Sequence, residues 1–260
     1  DSVTTTITFH GISTYEVAGP NGRVVFDPFF TKNPVATASV EDLATPDAIV
    51  ASHAAWDHMS DAAALAIRTG APVVCGSDTA ALLVQDGVPE SQIRRTTIGI
   101  RVAVNDLVVR PVACAHWSQA TLADGRVISG VPISFVIEFE PDVRVYHFGD
   151  SALTAEMSLI GTMHRPTVGL LGCTQPWSLV ADGGGQVVSG EMTPDEAAMA
   201  AELLGVRFAI ATHYDDRNHP DVSEFLRRVP VRDTSGERVA FALDVGESLV
   251  IDGSEYEVRR

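Results

Sequence analysis

Short apolar runs recur along this chain, each closed by a polar, glycine or proline cluster. That rhythm predicts many short strands interleaved with a few helices. Residues 3–30 hold short β-rich runs, and residues 31–45 read as a loop with Pro34 and Pro46 as breakers. Ala48-Ile49-Val50-Ala51 reads as a buried strand. Ser60-Asp61 is placed to cap an Ala- and Leu-rich helix to residue 68, ended by Gly70-Ala71-Pro72. Residues 73–75 predict a short strand, and Ser77-Asp78 a capped helix through residue 84. Alternation over residues 93–113 predicts two or three antiparallel strands, and residues 131–148 a hairpin turning at Pro141-Asp142. Residues 152–160 are a helix candidate, and residues 168–171 a buried strand. Thr193 as N-cap, Pro194 at the first helical position and Gly205 past the end frame a helix to residue 204. Another helix spans residues 221–229, and the tail from residue 238 is β-like.

Paired β-rich and helical segments occur in both halves, which does not suit a doubly wound parallel sheet. The pattern suits an α/β fold of two packed sheets with helices outside, an αββα four-layer sandwich. No internal repeat is apparent. Gly183-Gly184-Gly185 lies inside a loop over residues 175–190 that is long enough for a lid.

Composition adds bounds. The 260 residues can bury a substantial core as one domain spanning residues 1–260. Thirty-four acidic residues against 18 basic ones give a net charge of −16. This disfavours a nucleic-acid binder, which needs a basic stripe. No apolar run approaches the ~20 residues of a membrane span, and no leader is visible. Three cysteines, Cys75, Cys114 and Cys173, are odd in number and lack a CxxC pair. A reducing, cytoplasmic setting follows, with a small-molecule substrate and room for a homo-oligomer.

The candidate chemistry sits at strand ends. His53-Ala54-Ala55-Trp56-Asp57-His58 directly follows the apolar run 48–51. Imidazole and carboxylate at one strand end are suitable donors to a zinc or manganese ion. Cys114-Ala115-His116-Trp117-Ser118 follows the run 107–112. Tyr146-His147-Phe148-Gly149-Asp150 and Ala209-Ile210-Ala211-Thr212-His213-Tyr214 close two further strands. These motifs, in this order, resemble those of the metallo-β-lactamase superfamily, whose first signature is His-x-His-x-Asp-His. Ala55 stands where that signature has its second histidine. Gly11-Ile12-Ser13-Thr14, a second strand ending in Asp27-Pro28, and Met192-Thr193-Pro194-Asp195-Glu196-Ala197 resemble the ascorbate-phosphate-lactonase-like branch. Ile12 there replaces another usual histidine.

The resemblance implies one metal on His53, residue 55 and His116, a second on Asp57, His58 and His213, and Asp150 bridging them. With Ala55 in place the second set is complete and the first is short of a donor. One or two zinc ions (manganese is the alternative) are therefore expected, with the His58 site favoured. Cys114 is a rescue candidate, since residues two apart on a strand share a face; the competing reading is a small buried hydrophobe. The implied reaction is hydrolysis by metal-activated water, with Asp57 or Asp150 orienting it and Tyr214 stabilising the oxyanion. Trp56, Trp117 and Trp177 lie near these motifs and suggest an aromatic pocket, weighed against ordinary core packing. His219 is placed to reach substrate, against a plain loop role. His10, His147 and His164 read as structural, and Asp150 as a bridging ligand rather than a turn residue. Arg165 and Arg217 are the nearest cations for a phosphoester. A lactone, cyclic amide or ester is the leading substrate class. The competing readings are a non-catalytic or non-hydrolytic ligand- or metal-binding protein of the same fold, and a phosphodiesterase.

Overall fold

The computed structural model describes residues 4–174 and 191–260. The chain opens with β1 (Thr5–Gly11), β2 (Thr14–Gly19) and β3 (Gly22–Phe26), then reaches β4 (Ala48–Ala51) after a loop with one turn of 3-10 helix. Two helices follow, α1 (Trp56–Met59) and α2 (Ala62–Thr69), then β5 (Val73–Cys75), α3 (Ser77–Gln85) and β6 (Ile93–Arg95). The middle of the chain holds β7 (Val102–Val104), β8 (Leu107–Val112), β9 (Gln119–Thr121), β10 (Val127–Ser129), β11 (Ser134–Glu140) and β12 (Val143–His147). Then come α4 (Glu156–His164), β13 (Val168–Gly172), α5 (Pro194–Leu204), β14 (Phe208–Thr212), α6 (Pro220–Val231), β15 (Val239–Phe241), β16 (Ser248–Asp252) and β17 (Glu255–Arg259).

These strands form an eight-stranded sheet, β17-β16-β1-β2-β3-β4-β5-β6, and a seven-stranded sheet, β15-β14-β13-β12-β11-β8-β7, with β9 and β10 pairing apart. The inner faces meet in one apolar core that includes Phe9, Tyr15, Phe26, Phe135 and Phe139. A second core, with Val25, Ile49, Val73, Leu65 and Leu83, lies under α2 and α3 on the first sheet's other face. Ala197 and Ala201 of α5 and Phe225 of α6 join the main core from the second sheet's outer side. Helix, sheet, sheet, helix is the αββα sandwich the pattern predicts. Because β4 and β14 are covered on both faces, they read as unbroken apolar runs rather than as alternations.

Several elements differ from expectation. Gly76, not Ser77-Asp78, is the N-cap of α3. Asp61 holds the N-cap position of α2 without bonding it, because its carboxylate accepts from the backbone N–H groups of Phe30 and Thr31. β6 pairs in parallel with β5 in the first sheet, so only β7 and β8 of the 93–113 region are antiparallel. α4 starts four residues later than predicted, since Ser151 and Ala152 are bonded to the backbone of Ala115 instead. The 131–148 hairpin and the helix capped by Thr193 match their predicted positions, the latter with a full capping box to Glu196. The loop 175–190 with Trp177 lies outside the described residues. No helix among the described residues is long and apolar enough to cross a membrane.

Candidate metal centre

The strands that carry the histidine motifs end at one edge of the sandwich. β3 ends just before Asp27, β4 just before Ser52-His53, β12 before Asp150, β13 before Thr174 and β14 just before His213. Asp57 and His58 sit on the single turn of α1. His116 sits in the loop after β8.

Oδ2 of Asp150 lies 2.9 Å from His58 Nε2 and 3.3 Å from His213 Nε2. Asp57 Oδ2 lies 3.5 Å and 3.7 Å from the same two nitrogens. Donors about 2.0–2.1 Å from a tetrahedral zinc are about 3.3 Å apart, so this spacing fits one ion. His53, His116 and Asp150 form a second set, each offering a ligand atom within 4.8 Å of the others. All of these residues are buried except half-buried His116.

The hydrogen bonds behind this cluster fix which nitrogen faces it. The Asp27 carboxylate is fully buried. It accepts from Ser52 N–H (2.7 Å), Ser52 Oγ–H (2.8 Å), His58 Nδ1–H (2.7 Å) and His147 Nε2–H (2.6 Å). With its proton given to Asp27, Ser52 Oγ must accept from His53 Nδ1–H at 2.9 Å. His213 Nδ1–H donates to the Thr174 carbonyl at 3.3 Å. In all three histidines Nδ1 is thus anchored and Nε2 is the atom that faces the cluster. This is the outer support usual for metal-ligating histidine. His53 Nε2 and Asp150 Oδ1 are buried without a hydrogen-bond partner, while Nε2 of His58 and of His213 faces only the carboxylates of Asp150 and Asp57. Polar atoms left so are rare and costly unless something fills the space between them, and a divalent cation with N and O ligands does so.

The electrostatics agree. Burial pushes the Asp150 carboxyl up, but His213 and His58 outweigh it and hold it well below the usual range. Burial depresses His58 and His213, yet the Asp150 carboxylate and its acidic neighbours raise both well above normal. Without metal the pair therefore holds protons that an ion must displace. His53 is lowered to about 3, mainly by burial and next by His58, and stays neutral.

The backbone is strained here. Asp27, Asp150, His213 and Ile12 all have positive φ, between 44° and 65°. Such strain in non-glycine residues concentrates at functional sites. Gly149 before Asp150 also has positive φ, and a Cβ there would meet the Ile133 carbonyl at 2.7 Å. Ile12 accepts from His213 N–H at 2.8 Å through its carbonyl and so ties the first sheet to this ligand.

Of the residues named from sequence, His53, Asp57, His58, His116, Asp150 and His213 converge, and Ala55 adds only a methyl beside them. Cys114 does not complete the second set. The strand ends at Val112, so the face-sharing argument fails, and the thiol points to the carbonyls of Phe148 (3.8 Å) and Gly149 (3.2 Å). Burial pushes that thiol up to about 12. Tyr214 is not an oxyanion donor, because its hydroxyl donates to the Leu243 carbonyl at 2.6 Å. His219 caps α6 through Nδ1, which accepts from Asp221 N–H at 3.1 Å. Trp56 and Trp117 are not core residues: they are 48% and 66% exposed, next in sequence to Asp57 and His116. Trp177 lies outside the described residues. Sequence reasoning missed Asp27, Ser52 and Thr174, and took His147 only as structural. The Asp-Pro at the end of β3 and the serine preceding His53 were the available signals.

A sequence profile described as a Beta-lactamase superfamily domain matches residues 22–214. A UPF0173 metal-dependent hydrolase of Rubrobacter xylanophilus is 34% identical over 212 residues, covering 81% of each chain. One from Methanopyrus kandleri is 31% identical over 254 residues, covering 96% of this chain and 99% of its own. Among solved structures, Igni18, a metallo hydrolase of Ignicoccus hospitalis, superposes with a TM-score of 0.74 at 25% identity, over 95% of this chain and 98% of that one. A donor cluster at the sandwich edge and this likeness to relatives named as metal-dependent hydrolases lead to one statement: the chain belongs to the metallo-β-lactamase superfamily, in its UPF0173 metal-dependent hydrolase family.

Proposed function

We propose that the protein opens a lactone, cyclic amide or ester of a small molecule from an asymmetric centre, filled first at Asp57, His58, Asp150 and His213. The observation that carries this reading is the unequal donor sets: four side chains on one side, and three on the other with Asp150 shared. A zinc or manganese ion bound there would lower the pKa of water toward ~7 and polarise a carbonyl. The chain's own groups supply the rest. Asp57 is kept ionised, since His58 and His213 outweigh its burial. Its Oδ2 faces the histidines, which leaves Oδ1 to take a proton and return it to the leaving group. Asp27, Ser52 and Thr174 hold the imidazoles so that no reorientation is needed on the reaction path. Exposed Trp56, packed edge-on against Phe29, and exposed Trp117 beside His116 give an aromatic rim suited to an acyl or aromatic substrate. A phosphoester is less well served. Arg217 is paired with Asp244 at 3.2 Å, and Arg165 lines a separate cleft.

The test is turnover of a lactone, ester and amide panel by metal-loaded protein, beside Asp57→Ala. Hydrolysis of at least one class, lost in the variant together with tight metal binding, is expected. Ligand binding without turnover across the panel would favour a non-catalytic binding protein. Full activity in Asp57→Ala would sink the assigned site.

A further inference from the structure

A second cleft lies apart from the metal centre, between the start of β12 and the C-terminal end of α4. It has a volume of about 530 Å³ and is lined by Arg110, Arg144, Arg165, His164, Met163 and Glu138, with Thr162. Such a concentration of cations is unexpected in a chain with 18 basic and 34 acidic residues. Arg144 is partly neutralised by Glu138 at 3.5 Å. Its Nε–H donates to the Arg165 carbonyl at 2.7 Å, which holds the loop after α4 in place. Arg165 itself is fixed in the left-handed region, φ 47°, as the C-cap of α4. Neither Arg110 nor Arg165 has a carboxylate within ion-pair distance among the described residues, and the same holds for Arg101 near by. His164 is lowered by burial and, after that, by Arg110 and Arg101. Glu138 is the one acid on the lining, so the site retains an excess of two cations from Arg110, Arg144 and Arg165.

Unpaired guanidinium groups repel one another, and an acid-rich chain has ample carboxylates to neutralise them. Their convergence on a cleft therefore points to an anion from outside. Guanidinium forks match phosphate oxygens bidentately. The volume lies in the range of small-molecule sites and exceeds the needs of a bare inorganic ion. Met163, 68% exposed at the rim, offers an apolar, polarisable surface to the rest of such a ligand. We propose that this cleft is a second ligand site, taking a small phosphate-bearing molecule of nucleotide size at Arg110 and Arg165. It lies at the end of β12 opposite the Asp150 loop, so its occupant does not enter the metal centre.

Calorimetric titration of metal-loaded protein with ADP, in about 0.15 M salt so that loose surface attraction is screened, tests the idea. The variant is Arg110→Gln/Arg165→Gln, whose exposed or half-exposed positions leave the core intact; its unchanged thermal midpoint is checked first. Saturable binding of ADP, weakened tenfold or more in the variant and displaced by inorganic phosphate, is expected. Absence of saturable binding would overturn the proposal. Binding of equal strength in the double variant would also overturn it, because the phosphate would then be held by something other than Arg110 and Arg165.

Discussion

Asp27 shows what a single residue does here. One buried oxygen of its carboxylate receives Ser52, His58 and His147 at once, and positive φ at Asp27 aims it. Asp27→Asn replaces an acceptor-only group with one that must also donate, so His58 loses its fixed tautomer. Metal affinity is expected to fall about 10- to 100-fold, the usual loss for an outer-shell partner, read by competition with a chelating dye. Unchanged affinity would mean that His58 is oriented by something else. His10 carries a pH effect independent of the metal. Burial lowers it from 6.5 to about 4; Glu16, 3.5 Å away, does not counter this because its carboxylate is engaged by Arg23. Between those values the unfolded chain binds a proton that the folded chain refuses. Stability thus falls as pH drops from about 6.5 toward 4, by about 3 kcal/mol in all. His10→Gln should flatten that part of the urea-midpoint profile relative to the unaltered protein; parallel profiles would refute the assignment. At this scale the ligands were legible, because His53, Asp57, His58, Asp150 and His213 each follow an apolar run. Asp27 was not, since its partners lie 31 and 120 residues away and only folding brings them together.

Elements set the spacing of those residues. The strands with continuous apolar runs and the helix with both caps were readable because their signals are local. The one-turn helix α1 was not, as four residues show no periodicity. Nor was the loop after β8, where a strand carried past Val112 would have turned Cys114 toward the metals. The chain joins that loop to the one after β4 by a relay. Ser118 Oγ–H donates to the Asp78 carboxylate on α3, and Ser118 Oγ accepts from Ala54 N–H at 3.0 Å. Ala54 follows His53, and Ser118 lies two residues after His116, so the relay sets the separation of the smaller donor set. Ser118→Ala is expected to weaken the second metal equivalent by about tenfold, as for other outer-shell losses, and to leave the first unchanged. Ser118→Thr, which keeps the hydroxyl, should restore it. Metal titration distinguishes the two equivalents; equal weakening of both would show general loosening instead of local positioning.

Across the whole molecule the centre joins the two sheets. Asp57, His58 and His53 hang from the first sheet; His116, Asp150 and His213 hang from the second. Hydrogen bonds of Asp27, Ile12, Ser52 and Ser118 cross at that edge, and the chain's net charge of −16 adds self-repulsion. A divalent ion shared between donors of both sheets therefore acts as a clamp present only in the folded state. At metal a thousandfold above its dissociation constant that linkage is worth about 4 kcal/mol. For a chain of this size each kcal/mol moves the midpoint by about 2–4 °C, so stripping the metal should lower Tm by about 10 °C. Returning zinc or manganese should recover it. Asp57→Ala, which breaks the fuller set, should lose most of this response, while Ser118→Ala should lose only a minor part. A Tm indifferent to chelation and to both metals would mean that the sheets are held by their apolar core alone, and that the orphaned imidazoles at the edge await something other than an ion.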